Sequence, residues 1–212
     1  MLFYYFTSSE YGLSNLKNRH LKVSRFNSLN DPFELLGIDM SDRSVRNILR
    51  YDKSILAEKK GLLCFSENKY DPVQWAHYAE NYKGVCLGFE IPEKSLKKIK
   101  YVSSRLAIST LEDKDKQEKL LTTKFKHWGY EEERRLVVDL AGRPITNGLI
   151  FERFTSDIVL KEIYIGCRSE LTFDDIKSVY SSEGDKVIIK YTRPAFKDFK
   201  IVWDQSKKSE HA

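Results

Sequence analysis

The sequence predicts an α+β fold, with helices inserted mainly in the N-terminal half and strands dominating the C-terminal half. Short apolar runs such as Leu62-Leu63-Cys64-Phe65-Ser66 and Val85-Cys86-Leu87-Gly88-Phe89-Glu90-Ile91 are too brief for helices. Helix-period patterns concentrate before residue 130, whereas strand patterns crowd the remainder. Regular β-α-β alternation is missing, and neither G-x-G-x-x-G nor G-x-x-x-x-G-K-[ST] occurs, so Rossmann and P-loop sites are not expected.

Along the chain, residues 3–6 form a strand, and Ser8 or Ser9 caps a short helix whose Leu13 and Leu16 share a buried face. Leu21-Lys22-Val23 resumes a strand. Residues 27–34 are dense in turn formers and make a structured loop. Val45, Ile48, Leu49, Ile55 and Leu56 recur at helical intervals over 41–60, with Gly61 as the stop. After the strand at 62–66, Asp71 caps a helix that Pro72 opens, reaching Asn81, and Gly84 closes it. The run 85–91 is a strand covered on both faces. A polar helix or pair of helices fills 92–126. Further strands are expected at 130–138, 149–154, 158–165, 186–191 and 196–203, with a helix at 172–181. Residues 1–203 make a single domain and 204–212 a frayed polar tail.

The 212 residues carry a formal net charge of +5, a basic excess that permits a polyanionic partner without demanding one. Four lysines at 94–100 and five at 114–126 read as solvated helical faces. No apolar run is long enough to span a bilayer, and the opening Met1-Leu2-Phe3-Tyr4-Tyr5-Phe6 lacks the marks of a signal peptide. A cytoplasmic location with no membrane contact is therefore expected. Cys64, Cys86 and Cys167 are odd in number and suit reduced thiols, two of them within apolar strands.

The most informative segment is Trp128-Gly129-Tyr130-Glu131-Glu132-Glu133-Arg134-Arg135-Leu136-Val137. On a strand, Glu131, Glu133 and Arg135 share one face, the geometry of a polar site or of a solvated outer face. A second constellation is Cys64-Phe65-Ser66, then Trp75-Ala76-His77-Tyr78, then Lys83-Gly84-Val85. Its indole, imidazole and phenol suit stacking and hydrogen bonding to a flat ligand, and they equally suit core packing.

Asn30-Asp31-Pro32-Phe33-Glu34, Cys64-Phe65-Ser66, Trp75-x-His77-Tyr78, Lys83-Gly84-Val85 and Trp128-x-Tyr130-Glu131-x-Glu133-x-Arg135, in this order, resemble a bacterial domain family met in abortive-infection and phage-defence settings. The opening Tyr4-Tyr5-Phe6-Thr7-Ser8 with Leu13, Leu16 and Leu21, followed by Ser66, Tyr78 and the Glu131/Glu133 pair, is more distantly similar to the ADP-ribosyltransferase superfamily. That resemblance implies a split mixed or antiparallel sheet and NAD as the substrate. It also implies a toxin or defence effector that modifies a macromolecular acceptor, protein or nucleic acid, with a neutralising antitoxin or defence-system partner.

In that reading Glu133 stabilises the oxocarbenium-like cation formed as the nicotinamide–ribose bond breaks, and Glu131 orients or deprotonates the attacking group. Tyr5 (or Tyr4, one residue earlier), Ser66 and Tyr78 hold nicotinamide and its ribose, with Trp75 and His77 as alternative stacking groups. Arg135 pairs with a phosphate or restrains the two carboxylates. Asn30 lies on a turn that either closes over the ligand or is purely structural. The chief rival is a metal-dependent nuclease with Asp31, Glu34, His77, Glu131 and Glu133 as ligands of a divalent ion. A non-catalytic nucleic-acid-binding module is the third class.

Overall fold

A computed structural model describes residues 1–107, 113–180 and 186–211. In chain order its strands are β1 (Leu2–Thr7), β2 (His20–Lys22), β3 (Lys60–Ser66), β4 (Val85–Glu90), β5 (Lys97–Lys98), β6 (Lys100–Val102), β7 (Thr123–Phe125), β8 (Glu133–Asp139), β9 (Phe151–Arg153), β10 (Val159–Ile165), β11 (Ile188–Pro194), β12 (Ile201–Trp203) and β13 (Glu210–His211). The α-helices are α1 (Ser9–Asn18), α2 (Arg43–Lys59), α3 (Pro72–Tyr78), α4 (Asp113–Thr122) and α5 (Phe173–Val179).

The expected mixture of helices and strands is borne out as a mixed α+β fold. One nine-stranded sheet runs β12-β11-β10-β4-β1-β3-β8-β5, with β13 added beside β11. β10 and β11 are parallel, and the other neighbours are antiparallel. Strand β4 lies at the centre, and its first five residues are buried, which is why it reads as an almost unbroken apolar run.

Alternation along the strands divides the core between the two faces. Phe3, Phe65, Leu87, Phe89, Ile163 and Ile189 face α1 and α5. On the opposite face Leu62 packs under α2 and α4 with Leu49, Leu56, Leu120 and Leu121. Farther along that face Tyr4, Cys86 and Tyr164 pack under α3 with Trp75 and Ala79. Between these two covers, β1 and β3 share a single residue pair, Tyr4 with Ser66. Each is fully laddered on its other side, β1 to β4 from Leu2 to Thr7 and β3 to β8 from Lys60 to Ser66. The sheet therefore parts on this face.

Local chemistry sets the helix ends. Ser8 caps α1 by accepting from the Tyr11 N–H, and Asp71 caps α3 by accepting from Val73 and Gln74. Helix α3 stops at Tyr78 rather than Asn81, because Glu80, Asn81 and Tyr82 all take positive φ. Their backbone is held by bonds from Tyr82 N–H to Trp75 O at 3.2 Å and from Gly84 N–H to Ala79 O at 2.8 Å. Gly166 N–H then donates to Gly84 O, seating the end of β10 on this turn.

Several expectations are corrected. Residues 92–126 are not a helix or helix pair throughout: a 3-10 turn at Glu93–Ser95 leads into β5 and β6, and among the described residues α-helix is found at α4. Leu96 and Ile99 are buried as the chain crosses the edge of β8, which makes extended backbone the better packing. The strand expected at 130–138 begins at Glu133, since Lys126–Glu131 forms a 3-10 helix ended by left-handed Glu132. Of 196–203 only Ile201–Trp203 is strand, and the tail folds back as β13 instead of fraying. Part of 92–126, Ser181 of the helix expected at 172–181, and Ala212 lie outside the described residues. Among the described residues no helix is long and apolar enough to cross a membrane.

A Cβ on Gly166 would stand 2.1 Å from Tyr82 O and 2.8 Å from Gly84 O, both backbone atoms that cannot swing away. Gly166→Ala is expected to destabilise the fold by about 1–3 kcal/mol or more, as overpacking does. A urea unfolding midpoint equal to that of the wild type would refute this close approach.

Candidate active site

A cavity of about 260 Å³ lies where β1 parts from β3, lined on one side by Gln74 and Tyr78 of α3. Its walls include Tyr5 from β1, Asn30 and Glu34 from the Asn-Asp-Pro-Phe-Glu turn, Ser66 from β3, and Tyr78 from α3. Lys124, Glu131 and Glu133 complete one end.

That end is a buried ionic cluster. Lys124 Nζ lies 2.6 Å from Glu131 Oε2, 3.1 Å from Glu133 Oε2 and 3.4 Å from Glu34 Oε1. Arg135, fully buried, donates from Nε and Nη2 to the two oxygens of Glu133 at 2.7 and 3.0 Å. Its Nη2 also reaches Glu34 Oε1 at 2.7 Å, and Nη1 reaches Leu121 O at 3.0 Å. Of the two roles foreseen for Arg135, its contacts are those of a restraint on carboxylates. Four of its five N–H donors are occupied inside the protein, so it is not presented to a ligand phosphate.

Three carboxylates thus face two cations, a formal excess of one negative charge. Environment separates the carboxylates. For Glu133, burial would raise the pKa, but Arg135 and Lys124 outweigh it and hold the group down to about 2. For Glu131, burial dominates, with the Glu133 charge adding to it, so its pKa is raised despite Lys124. Burial works against the Lys124 ammonium, yet Glu133, Glu131 and Glu34 raise its pKa and keep it charged. The Cys64 thiol beside Glu133 is pushed well up by burial and by the carboxylate, and stays protonated.

Tyr78 completes the Glu131 environment. Its hydroxyl donates to Glu131 Oε1 at 2.5 Å and accepts from Asn30 Nδ2 at 2.9 Å. Asn30 therefore has a site contact through Tyr78, and Asp31 shapes the turn by accepting from Phe33 N–H at 2.9 Å. One atom at this end has no partner among the described residues: Glu34 Oε2, buried on a side chain only 3% exposed. A ligand donor reaching it would satisfy it.

The structure brings together Tyr5, Asn30, Ser66, Tyr78, Glu131 and Glu133 from the expected set. Tyr5 borders the cavity from β1, but its ring packs with the α1 and α5 core beside Phe65, where burial raises its hydroxyl to about 12. Ser66 Oγ is already engaged, donating to Asn68 O and accepting from Asn68 N–H and Gln74 Nε2. Trp75 is a correction: it is 1% exposed, its indole N–H bonds to Lys69 O at 2.7 Å, and its ring packs edge-on against Phe6. His77 is another, since Nδ1 contacts the Tyr130 hydroxyl at 2.9 Å within a cluster that includes Trp128.

Glu131 does not reach the pocket by strand alternation, because left-handed Glu132 separates it from β8. The two carboxylates converge instead on Lys124, which the sequence reading counted among solvated lysines. Its signal was available, as Lys124 follows apolar Leu120-Leu121 and stands between Thr123 and Phe125, unlike a lysine on an all-polar face. Gln74, whose side-chain N–H groups reach Ser66 Oγ, Asn68 O and Tyr130 O, was also missed.

The ligand set of a metal-dependent nuclease does not assemble. Asp31 and His77 are committed elsewhere, and the space among Glu34, Glu131 and Glu133 holds an ammonium and a guanidinium. Among the described residues no group of three or more His, Cys, Asp or Glu is arranged to hold a metal ion.

Compared with protein-family models, with curated proteins and with solved structures, the chain matches none. Fold and site together define a mixed α+β protein with an aromatic pocket, opened where its sheet parts and closed at one end by a buried five-residue ionic cluster.

Removing one partner of a buried ion pair leaves an uncompensated charge, at a cost of about 3–5 kcal/mol. Lys124→Met is expected to lose about that much at pH 7 and to recover part of it on acidification as Glu131 takes up a proton, measured by urea unfolding at both pH values. An equal loss at both would refute the charge origin.

The pKa of Glu133 lies below its usual 4.5, so its stabilisation is complete above about pH 4.5 and is lost as pH falls toward 2. The pKa of Glu131 is raised, so its contribution has the opposite slope, complete below the ordinary carboxylate value and lost as pH rises through the folded value. Stability of Glu131→Gln is therefore expected to decline less than wild type between pH 4.5 and neutrality. Parallel pH profiles would contradict the raised Glu131 pKa.

Proposed function

We propose that this protein cleaves the nicotinamide–ribose bond of NAD and transfers ADP-ribose to a macromolecular acceptor, as an ADP-ribosyltransferase-like toxin or phage-defence effector. The observation that carries this reading is that Tyr5, Ser66, Tyr78, Glu131 and Glu133, from separate segments of the chain, line one cavity where the sheet parts. Ordered motifs similar to those of defence-associated bacterial domains and of ADP-ribosyltransferases support the biological setting. A neutralising antitoxin or defence-system partner belongs to the same proposal.

The chemistry follows from charge. Nicotinamide leaves with the bonding electron pair, and positive charge develops on the ribose. The excess negative charge of the cluster opposes no such cation and stabilises it by field. Glu133, pinned by Arg135 and Lys124, supplies a fixed anion that needs no reorganisation during bond cleavage. Glu131 is the better proton acceptor, since its raised pKa brings it toward neutrality. It takes the proton of the attacking hydroxyl or amine as the new glycosidic bond forms. This assigns base to Glu131 and electrostatic stabiliser to Glu133. The aromatic side chains that β1 and α3 turn to this face, Tyr4, Phe6 and Tyr78, suit a flat pyridinium ring carrying positive charge. Glu34 Oε2 offers an acceptor to a ribose hydroxyl.

Purified protein in EDTA is expected to release free nicotinamide from NAD, and Glu131→Gln to reduce the rate by about 10²–10⁴-fold, the usual range for a lost general base. Dependence on added cell extract would identify transfer to an acceptor, and release without extract would identify hydrolysis. No release under either condition would overturn the reading. Glu131→Gln is preferable to Glu133→Gln, which deprives buried Arg135 of its main counter-charge and tests folding as much as chemistry.

A further inference from the structure

The turn joining β11 to β12 presents a second surface, separate from the pocket. Pro194 ends β11, and Ala195 N–H donates to Lys200 O at 2.8 Å, closing a short loop. Within it Phe196 is 92% and Phe199 98% exposed, against a core in which most large apolar side chains are buried. Paired bare aromatics of this size mark an interaction site rather than scatter.

Cations are interleaved with these rings. The Arg193 guanidinium lies 3.9 Å from the centroid of Phe196. Lys197 and Lys200 flank Asp198 and Phe199 in sequence. Beside the loop runs a groove of about 450 Å³, and along it Arg168 lies 5.2 Å from the centroid of the Tyr82 ring. Arg168, Lys197 and Lys200 line this groove against one carboxylate, Asp198.

We propose that the β11–β12 loop and its groove dock a single-stranded nucleic acid, with bases stacked on Phe196 and Phe199 and phosphates met by Arg168, Lys197 and Lys200. Positive grooves with aromatic platforms are the recurring solution for unpaired strands, because every base has a π-face and every linkage a charge. A protein partner fits less well, since the centre of a protein–protein interface is depleted of charge and of lysine in particular, whereas here Lys197 lies between the two phenylalanines in sequence and lines the groove. An anionic bilayer meets Asp198 with the same like charge as a strand's phosphates, and it is separated from a strand by the vesicle arm of the test.

The inference does not rest on the NAD reading. If both hold, the strand bound here is the macromolecular acceptor or leads to it.

The test is fluorescence anisotropy of a labelled single-stranded RNA of roughly 12 nucleotides, within the usual range of site sizes. Single-stranded DNA, an RNA duplex and phosphatidylserine-containing vesicles serve as parallel arms, all with the whole 212-residue chain. Single strands are expected to bind, and Phe196→Ser with Phe199→Ser to weaken binding on the order of tenfold per ring. Lys197→Gln with Lys200→Gln should flatten the logarithmic salt dependence by about 0.7 per lysine. Because the rings are exposed, circular dichroism and thermal melting should be unchanged in the Phe variant. Failure of the wild type to bind a single strand would overturn the proposal. So would equal affinity of the Phe variant, preference for the duplex, or binding to vesicles alone.

Discussion

Lys124 Nζ lies within 3.4 Å of carboxylates from Glu34, Glu131 and Glu133, and the surrounding architecture is arranged to make that contact possible. Glu34 comes from a turn folded over the sheet, Lys124 from a short strand after α4, Glu131 from a 3-10 helix, and Glu133 and Arg135 from β8. Charges buried together are costly to desolvate, and only their mutual attraction and hydrogen bonds offset that cost. The cluster consequently ties separate parts of the chain into one register. A shift of any of them leaves a charge without its counter-charge.

The same contacts divide labour between two neighbouring glutamates. Glu133 is gripped by a bidentate guanidinium and remains ionised well into the acid range, whereas Glu131 shares its environment with a phenol and is biased toward accepting a proton. Two identical side chains two residues apart are made chemically distinct by their surroundings, the general route by which a site obtains one fixed charge and one titrating group. Tyr78 and Asn30 extend the arrangement outward: the amide holds the phenol, and the phenol holds Glu131.

Much of the scaffold was legible in the sequence, because it depends on local pattern. The buried run at 85–91, the Ser8 and Asp71 caps and the strand at 62–66 follow from apolar spacing and side-chain hydrogen bonding. Six of the pocket-lining residues, Tyr5, Asn30, Ser66, Tyr78, Glu131 and Glu133, stand in the segments that the sequence singles out. Lys124 was not, since a lysine's burial depends on carboxylates brought to it by distant segments. Trp75 and His77 differ from expectation because an aromatic beside a pocket-lining residue on a short helix faces core or pocket according to helix rotation, which seven residues do not specify. The break at Glu132 was hidden as well, because left-handed backbone at a glutamate has no compositional signature comparable to glycine.

The Tyr4–Ser66 rung has a mechanical meaning. Strand β1 carries β4, β10 and the strands beyond on one side, and β3 carries β8 and β5 on the other. One residue pair joins the two groups within the sheet, where neighbouring seams have a full ladder. Relative rotation of the halves about that rung sacrifices fewer interstrand bonds than rotation at the flanking seams, making it the compliant direction of the sheet. Tyr5 belongs to one half and Glu133 to the other, so the cavity takes its walls from both sides of the seam. Across that seam the halves are held by side-chain packing, Tyr5 against Phe65, where neighbouring strands are held by backbone hydrogen bonds.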